Sequence, residues 1–244
     1  MRYAILLFAS LSTFVQAQTP RTTSTRNAVW GAALFEYAFH PKWSASLDAQ
    51  YRYEYTDGDA IAWLLRPGVS YKIKSGLMFT AGFARFKLYP NPNGREPRPE
   101  WRPWQEVGQK YILAGGKHTI YPRLRFEQRF IREYEGGGFT SNYALNSMRL
   151  RLRADYTYKF HPEAERTTFL FAGDELFFLR NPTGYTGLDQ NRIWIGAGYK
   201  FNSIASVAFS YLNWYQQVNS STYVQFHVVR IQAQFQFTRK EKKA

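Results

Sequence analysis

The chain contains no cysteine. That excludes disulfides, thiolate metal centres, cysteine nucleophiles and a lipidated N-terminal cysteine. Beyond its N-terminus it has no run of about twenty apolar residues, so no transmembrane helix is available. Acidic residues are scarce: 18 Asp and Glu face 32 Lys and Arg over 244 residues, a net charge of +14. In a cytosolic protein such an excess would point to nucleic acid. The first residues argue against that. Met1-Arg2 is followed by an apolar run from Ala4 to Leu11 and by Val15-Gln16-Ala17, a small-residue cleavage pattern, so residues 1–17 read as a signal peptide. Export removes nucleic acid as a partner and leaves lipopolysaccharide phosphates and small anionic solutes as the natural anions.

What is present in quantity is alternation. From Ser147 to Phe160, Arg149, Arg151, Arg153, Asp155, Thr157 and Lys159 fall on one side of a period-two pattern, and Leu150, Leu152, Ala154, Tyr156, Tyr158 and Phe160 on the other. A helix would mix the two sets, so this is a strand. One face is too charged for a protein core and the other too apolar for water. The arrangement that suits both is a closed antiparallel up-and-down sheet with polar groups inside and hydrocarbon outside, a transmembrane β-barrel. The aromatic content of 18% fits the two interfacial girdles of such a barrel.

Along the chain the pattern recurs. Residues 18–27 read as a flexible lead-in, 28–238 as the barrel and 239–244 as a basic tail. Strands are expected near 28–39, 43–55, 61–73, 77–88, 104–113, 118–131, 147–160, 167–179, 191–201, 204–215 and 223–237. Pro67 and the adjacent Asp174-Glu175 suggest bulges. Short turns near His40, Lys74, Gly116, His161 and Asn202 alternate with longer polar loops, including a proline-rich loop from Tyr89 to Arg102 and a glycine loop from Arg132 to Asn146. This is the expected difference between periplasmic turns and outer loops. The count is eleven, whereas bacterial single-chain barrels normally have an even number. Twelve is therefore expected, within a range of ten to twelve, through a merged or missed strand; a lead-in threading upward before the first strand is the other solution. The last strand alternates and finishes in aromatics, which resembles the signal read by the barrel-assembly machinery.

The lumen-facing set is Arg52, Arg66, Lys72, Glu106, Lys110, Arg123, Arg125, Glu127, Arg129, Arg149, Arg151, Arg153, Asp155, Arg192 and Arg230. Two readings stay open: an arginine-lined passage selecting anions, or a lattice of salt bridges filling a narrow barrel. No catalytic site is expected. His40, His118 and His161 lie in or beside turns, and His227 sits on an outward face with no Ser and acid placed to complete a hydrolytic set. No cluster has metal-ligand spacing, and neither metal nor cofactor is expected.

Several short motifs together carry a family resemblance: Trp30, Trp43, the strand Leu47, Gln50, Arg52, the run Arg149-Leu150-Arg151-Leu152-Arg153, and Glu175-Leu176-Phe177-Phe178. The chain resembles the family called domain of unknown function 2490, found chiefly in Bacteroidetes and relatives. The resemblance implies a bacterial outer-membrane β-barrel in contact with outer-membrane lipid, and supplies no catalytic residues. The functional expectations are a passive pore with a basic lumen or, alternatively, a non-conducting structural or surface-binding barrel with a filled interior.

Overall fold

The computed structural model describes residues 22–56, 58–89, 97–135, 138–182, 186–219 and 221–239. Residues 1–17, expected to be a signal peptide, residues 18–21 of the expected lead-in, the middle of the proline loop and residues 240–244 of the tail lie outside the described residues. Twelve strand segments follow one another: β1 (Thr22–His40), β2 (Trp43–Glu54), β3 (Asp59–Lys74), β4 (Leu77–Leu88), β5 (Arg98–Gln109), β6 (Tyr111–Leu113), β7 (His118–Glu135), β8 (Gly138–Lys159), β9 (Thr167–Arg180), β10 (Thr186–Lys200), β11 (Ala205–Gln217) and β12 (Thr222–Thr238). Each pairs with its chain neighbour, except that β5 and β6 both lie against β7, on either side of Lys110. They are two parts of one stave, so the twelve segments build a closed barrel of eleven staves.

Eleven staves settle the parity problem in a way that no hidden strand is needed for. In an up-and-down meander an odd count leaves the first and last staves running the same way, so the seam must be parallel. β1 and β12 pair in parallel from Thr22 opposite Thr222 to Ala38 opposite Thr238 without a slip. Phe35 and Phe235 stack across the seam on the outer face, with ring centroids 5.0 Å apart. The expected lead-in is thereby corrected: Thr22–Asn27 belongs to β1. Its threonines suit a strand, and only the pairing partner, 200 residues away, makes them one.

Other boundaries shift for similar reasons. β5 begins at Arg98, inside the stretch read as a proline loop. Its ladder with β4 is continuous, while that with β7 skips Arg102 and Pro103. Proline cannot donate to a ladder, so it is tolerated along an edge where the ladder is already open. Pro67 behaves likewise: the β3–β4 ladder skips Arg66 and Pro67 and resumes in the same register, without the expected bulge. The glycine loop is also shorter than expected. β7 and β8 stay paired out to Glu135 and Gly138, with irregularities near Asn146 and between Arg132 and Tyr134. At Asp174-Glu175 both ladders run regularly; Glu175 turns inward, and Asp174 turns outward to accept a 2.6 Å bond from Asn191.

Sidedness is unambiguous. Leu152 is 43% exposed and Ile195 65%, while Arg151 is 7% exposed. Apolar side chains cover the outer wall over many staves, far beyond the few hundred Å² patches of soluble monomers. Aromatic rings gather toward both ends of that wall: Tyr37, Trp43, Tyr111 and Tyr199 at the turn end, Tyr51, Tyr53, Phe83 and Tyr134 at the loop end. The seam can be tested in this cysteine-free background. Ala33 and Ala233 are direct partners, at a spacing that disulfide geometry accepts. The double variant Ala33→Cys/Ala233→Cys should cross-link under mild oxidation and shift on a non-reducing gel. Persistent free thiols in folded protein would show that the barrel closes elsewhere.

Candidate functional site

The alternation that places arginines inward also sets them against one another. Arg125 lies directly opposite Arg151, and Arg123 opposite Arg153, across the β7–β8 ladder. Like charges so placed repel, and burial sharpens the repulsion. Carboxylates from the flanking staves resolve it. Glu106 of β5 accepts from Arg125 at 2.8 Å and lies 3.6 Å from Arg123. Glu175 of β9 accepts from Arg151 at 2.6 and 3.0 Å, and Glu127 binds the same guanidinium from the other side. Asp155 is shared by Arg123 and Arg153. Toward the loop end Glu100 takes Arg129 in a bidentate pair at 2.7 and 3.0 Å and also binds Arg102, while Arg149 meets Asp189 at 2.7 Å. Arg66 and Asp48 pair across β2 and β3.

Aromatic rings occupy the space between the pairs. Trp30, Trp194, Leu212, Trp214, Phe226 and Val228 form one buried cluster and Leu64, Ala84, Phe86 and Trp104 another. Guanidinium groups lie over these rings: Arg102 over Phe86 at 3.7 Å, Arg125 over Trp104 at 4.4 Å, Arg153 over Trp194 at 4.5 Å and both Arg151 and Arg192 over Phe177. Arginine suits this role because its weakly hydrated plane both stacks and bonds. Glycines make room for the rings: a Cβ on Gly173 would collide with the Trp194 indole.

The lumen therefore has two unequal parts. A vestibule of about 770 Å³ is lined at the turn end by Lys110, Lys159, Lys200 and Gln236 and bounded inward by Trp104, Arg125, Arg151 and Trp194. Above it the middle of the barrel is filled, with a residual cavity of about 60 Å³. Of the residues expected on the inner face, Glu106, Arg123, Arg125, Glu127, Arg129, Arg149, Arg151, Arg153 and Asp155 come together in the ionic lattice. Arg66 forms a separate pair with Asp48. Arg52, Arg192 and Arg230 sit beside the lattice with neutral partners, Gln50, Gln190 and Ser210. Lys110 lines the vestibule, and Lys72 is exposed at the turn end.

Sequence reasoning missed three of the neutralising carboxylates. Glu100 lay in the supposed proline loop, Glu175 in a supposed bulge and Asp189 in a loop. It also missed Arg102 and the aromatic filling, although period-two counting already put Trp30 and Trp194 on the inner face. His227 bonds the Tyr211 hydroxyl on the outer wall, and no group of three or more His, Cys, Asp or Glu that could hold a metal occurs among the described residues.

A family model described as Protein of unknown function (DUF2490) matches residues 27–225. No curated protein matches the chain. Among solved structures it is similar to outer-membrane expressed OmpT of Vibrio cholerae, at 17% identity and a TM-score of 0.39 over 71% of this chain and 55% of that one. A loop L8 deletion mutant of the same protein gives 16% identity and 0.39 over 73% and 58%. The chain thus spans a little over half the length of these barrels.

The lattice makes a stability prediction. Replacing Glu175 by Ala leaves the buried Arg151 with one acid fewer, a loss on the order of 3–5 kcal/mol for a broken buried pair. The variant should unfold at clearly lower temperature in a gel assay of heat-modified mobility, whereas removing the rim charge of Lys72 should leave the midpoint within error.

Proposed function

We propose, from the premise that the chain belongs to the DUF2490 family of unknown function, that it is a bacterial outer-membrane barrel that does not conduct. The observation that carries this reading is the filled middle of the lumen. The Glu100, Glu127 and Glu175 side chains are each at most 6% exposed and each is bound to arginine. Opening a path would require breaking several buried charge pairs at once, each costing several kcal/mol. What remains accessible from the turn end is a blind vestibule with lysines at its mouth, suited to receiving small anionic solutes from the periplasm without passing them on.

The outer wall supports a membrane partner. Near the loop end Arg85 lies over Trp101 at 5.2 Å and Lys87 over Trp63 at 5.5 Å. Cations held by interfacial indoles are placed to meet lipopolysaccharide phosphates. The final strand, ending Phe235-Gln236-Phe237, would be the segment handed to the assembly machinery. A catalytic role has no comparable support: His227 and Tyr211 face outward together, with Asn213 and Asn27 as the cross-strand neighbours of the imidazole. Nucleic acid is not a partner in this reading.

Planar-bilayer recording tests it. The purified barrel should insert without steady single-channel steps in potassium chloride, and stepwise current with anions favoured would restore the pore reading.

A further inference from the structure

Three inward-facing guanidinium groups, that of the buried Arg192 and those of the half-buried Arg52 and Arg230, lack a carboxylate. Among the described residues Arg52, Arg192 and Arg230 form no salt bridge. Arg52 donates to Gln50 at 2.9 Å, Arg192 to Gln190 at 2.7 Å and Arg230 to Ser210 at 3.1 Å. Glu175 lies directly opposite Arg192 across the β9–β10 ladder, but its bonds go to Arg151. Trp30 links all three. Arg52, Trp30 and Arg230 are direct partners across β2, β1 and β12, and two guanidinium groups share the Trp30 indole, Arg52 at 4.1 Å and Arg192 at 5.4 Å from its centroid.

All three line the central cavity of about 60 Å³. Of its 17 lining residues eight are arginine and one, Glu175, is acidic. Buried donors are also in excess there: the Nε of Arg52 and of Arg192 and the indole Nε1 of Trp30 have no acceptor. Buried polar groups are nearly always satisfied, and like charges in a low-dielectric interior repel strongly. Water could take the orphan hydrogens, since one water claims about 30 Å³, but water supplies no charge. Ring faces offset only part of the repulsion.

We infer that the central cavity is a binding site for one small inorganic anion of halide size, held by Arg52, Arg192 and Arg230. The ion supplies the missing negative charge and accepts the unpartnered donors. It is a resident of the barrel, enclosed by the same lattice that fills the lumen, and the inference holds whether or not the barrel conducts. The cavity is too small for a sugar-derived carboxylate such as gluconate.

Crystals of the full mature chain grown in sodium bromide test this directly. An anomalous peak is expected inside the barrel, in contact with Arg52, Arg192 and Arg230; bromide found only at exposed lysines, or nowhere, overturns the site. In detergent, chloride should raise the unfolding temperature saturably, while gluconate at equal ionic strength should not. Arg192→Gln should abolish the difference between the two salts. An equal response of the native barrel to both salts would reduce the effect to general screening and overturn the inference; should the variant fail to fold, the bromide map of the native chain still decides.

Discussion

Arginine in a closed lumen must be answered by something, and that requirement organises this barrel. A strand such as Arg149-Leu150-Arg151-Leu152-Arg153 can be stable only if its outer face meets hydrocarbon and its inner face meets acids, acceptors or rings. The cost of burying a guanidinium without a partner exceeds what any one ladder bond returns. The eleven staves therefore carry their acids where their neighbours carry arginine: Glu106 beside Arg125, Glu175 beside Arg153, Glu100 beside Arg129. The rings of Trp104, Phe177 and Trp194 fill what the ion pairs leave.

The same requirement explains the contrast between the two halves of the lumen. Toward the turn end the inner face carries short or neutral side chains such as Ser46, Thr80, Thr157 and Gln234, with lysines that reach water, and a vestibule results. In the middle the inner face carries arginine and tryptophan on most staves, and these side chains are long enough to meet across the barrel. Filling is thus a consequence of side-chain length at a given level and needs no plug domain or inserted loop.

Much of this was legible in the sequence, and the failures have identifiable causes. Period-two alternation placed Arg123, Arg151 and Arg192 on one face and Leu124, Leu152 and Ile193 on the other, because a strand admits only two faces and the two sets could not exchange environments. In the strand expected near 77–88 alternation misleads, because its inner residues Ala84 and Phe86 are apolar while its outer ones include Arg85 and Lys87, the reverse of the rule, at a level where the lumen is aromatic and the outer wall nears the polar interface. Arg98 to Arg102 read as loop because proline argues against strands. An edge already open toward β7 removes that objection, and no local pattern reveals such an edge.

By itself the sequence determined sidedness, the all-β closed architecture and the positions of the turns at one end, since alternation, turn residues and the lack of a long apolar run beyond the N-terminus are local properties. Only the tertiary structure decided how the barrel closes and what its interior does. Pairing Thr22–Ala38 in parallel with Thr222–Thr238 is a contact between the two ends of the chain, and the choice of which carboxylate answers which arginine depends on stagger between staves. A filled lumen and an open one can share the same alternating strands; the difference lies in whether side chains from opposite walls meet at one height, which is set by register and tilt.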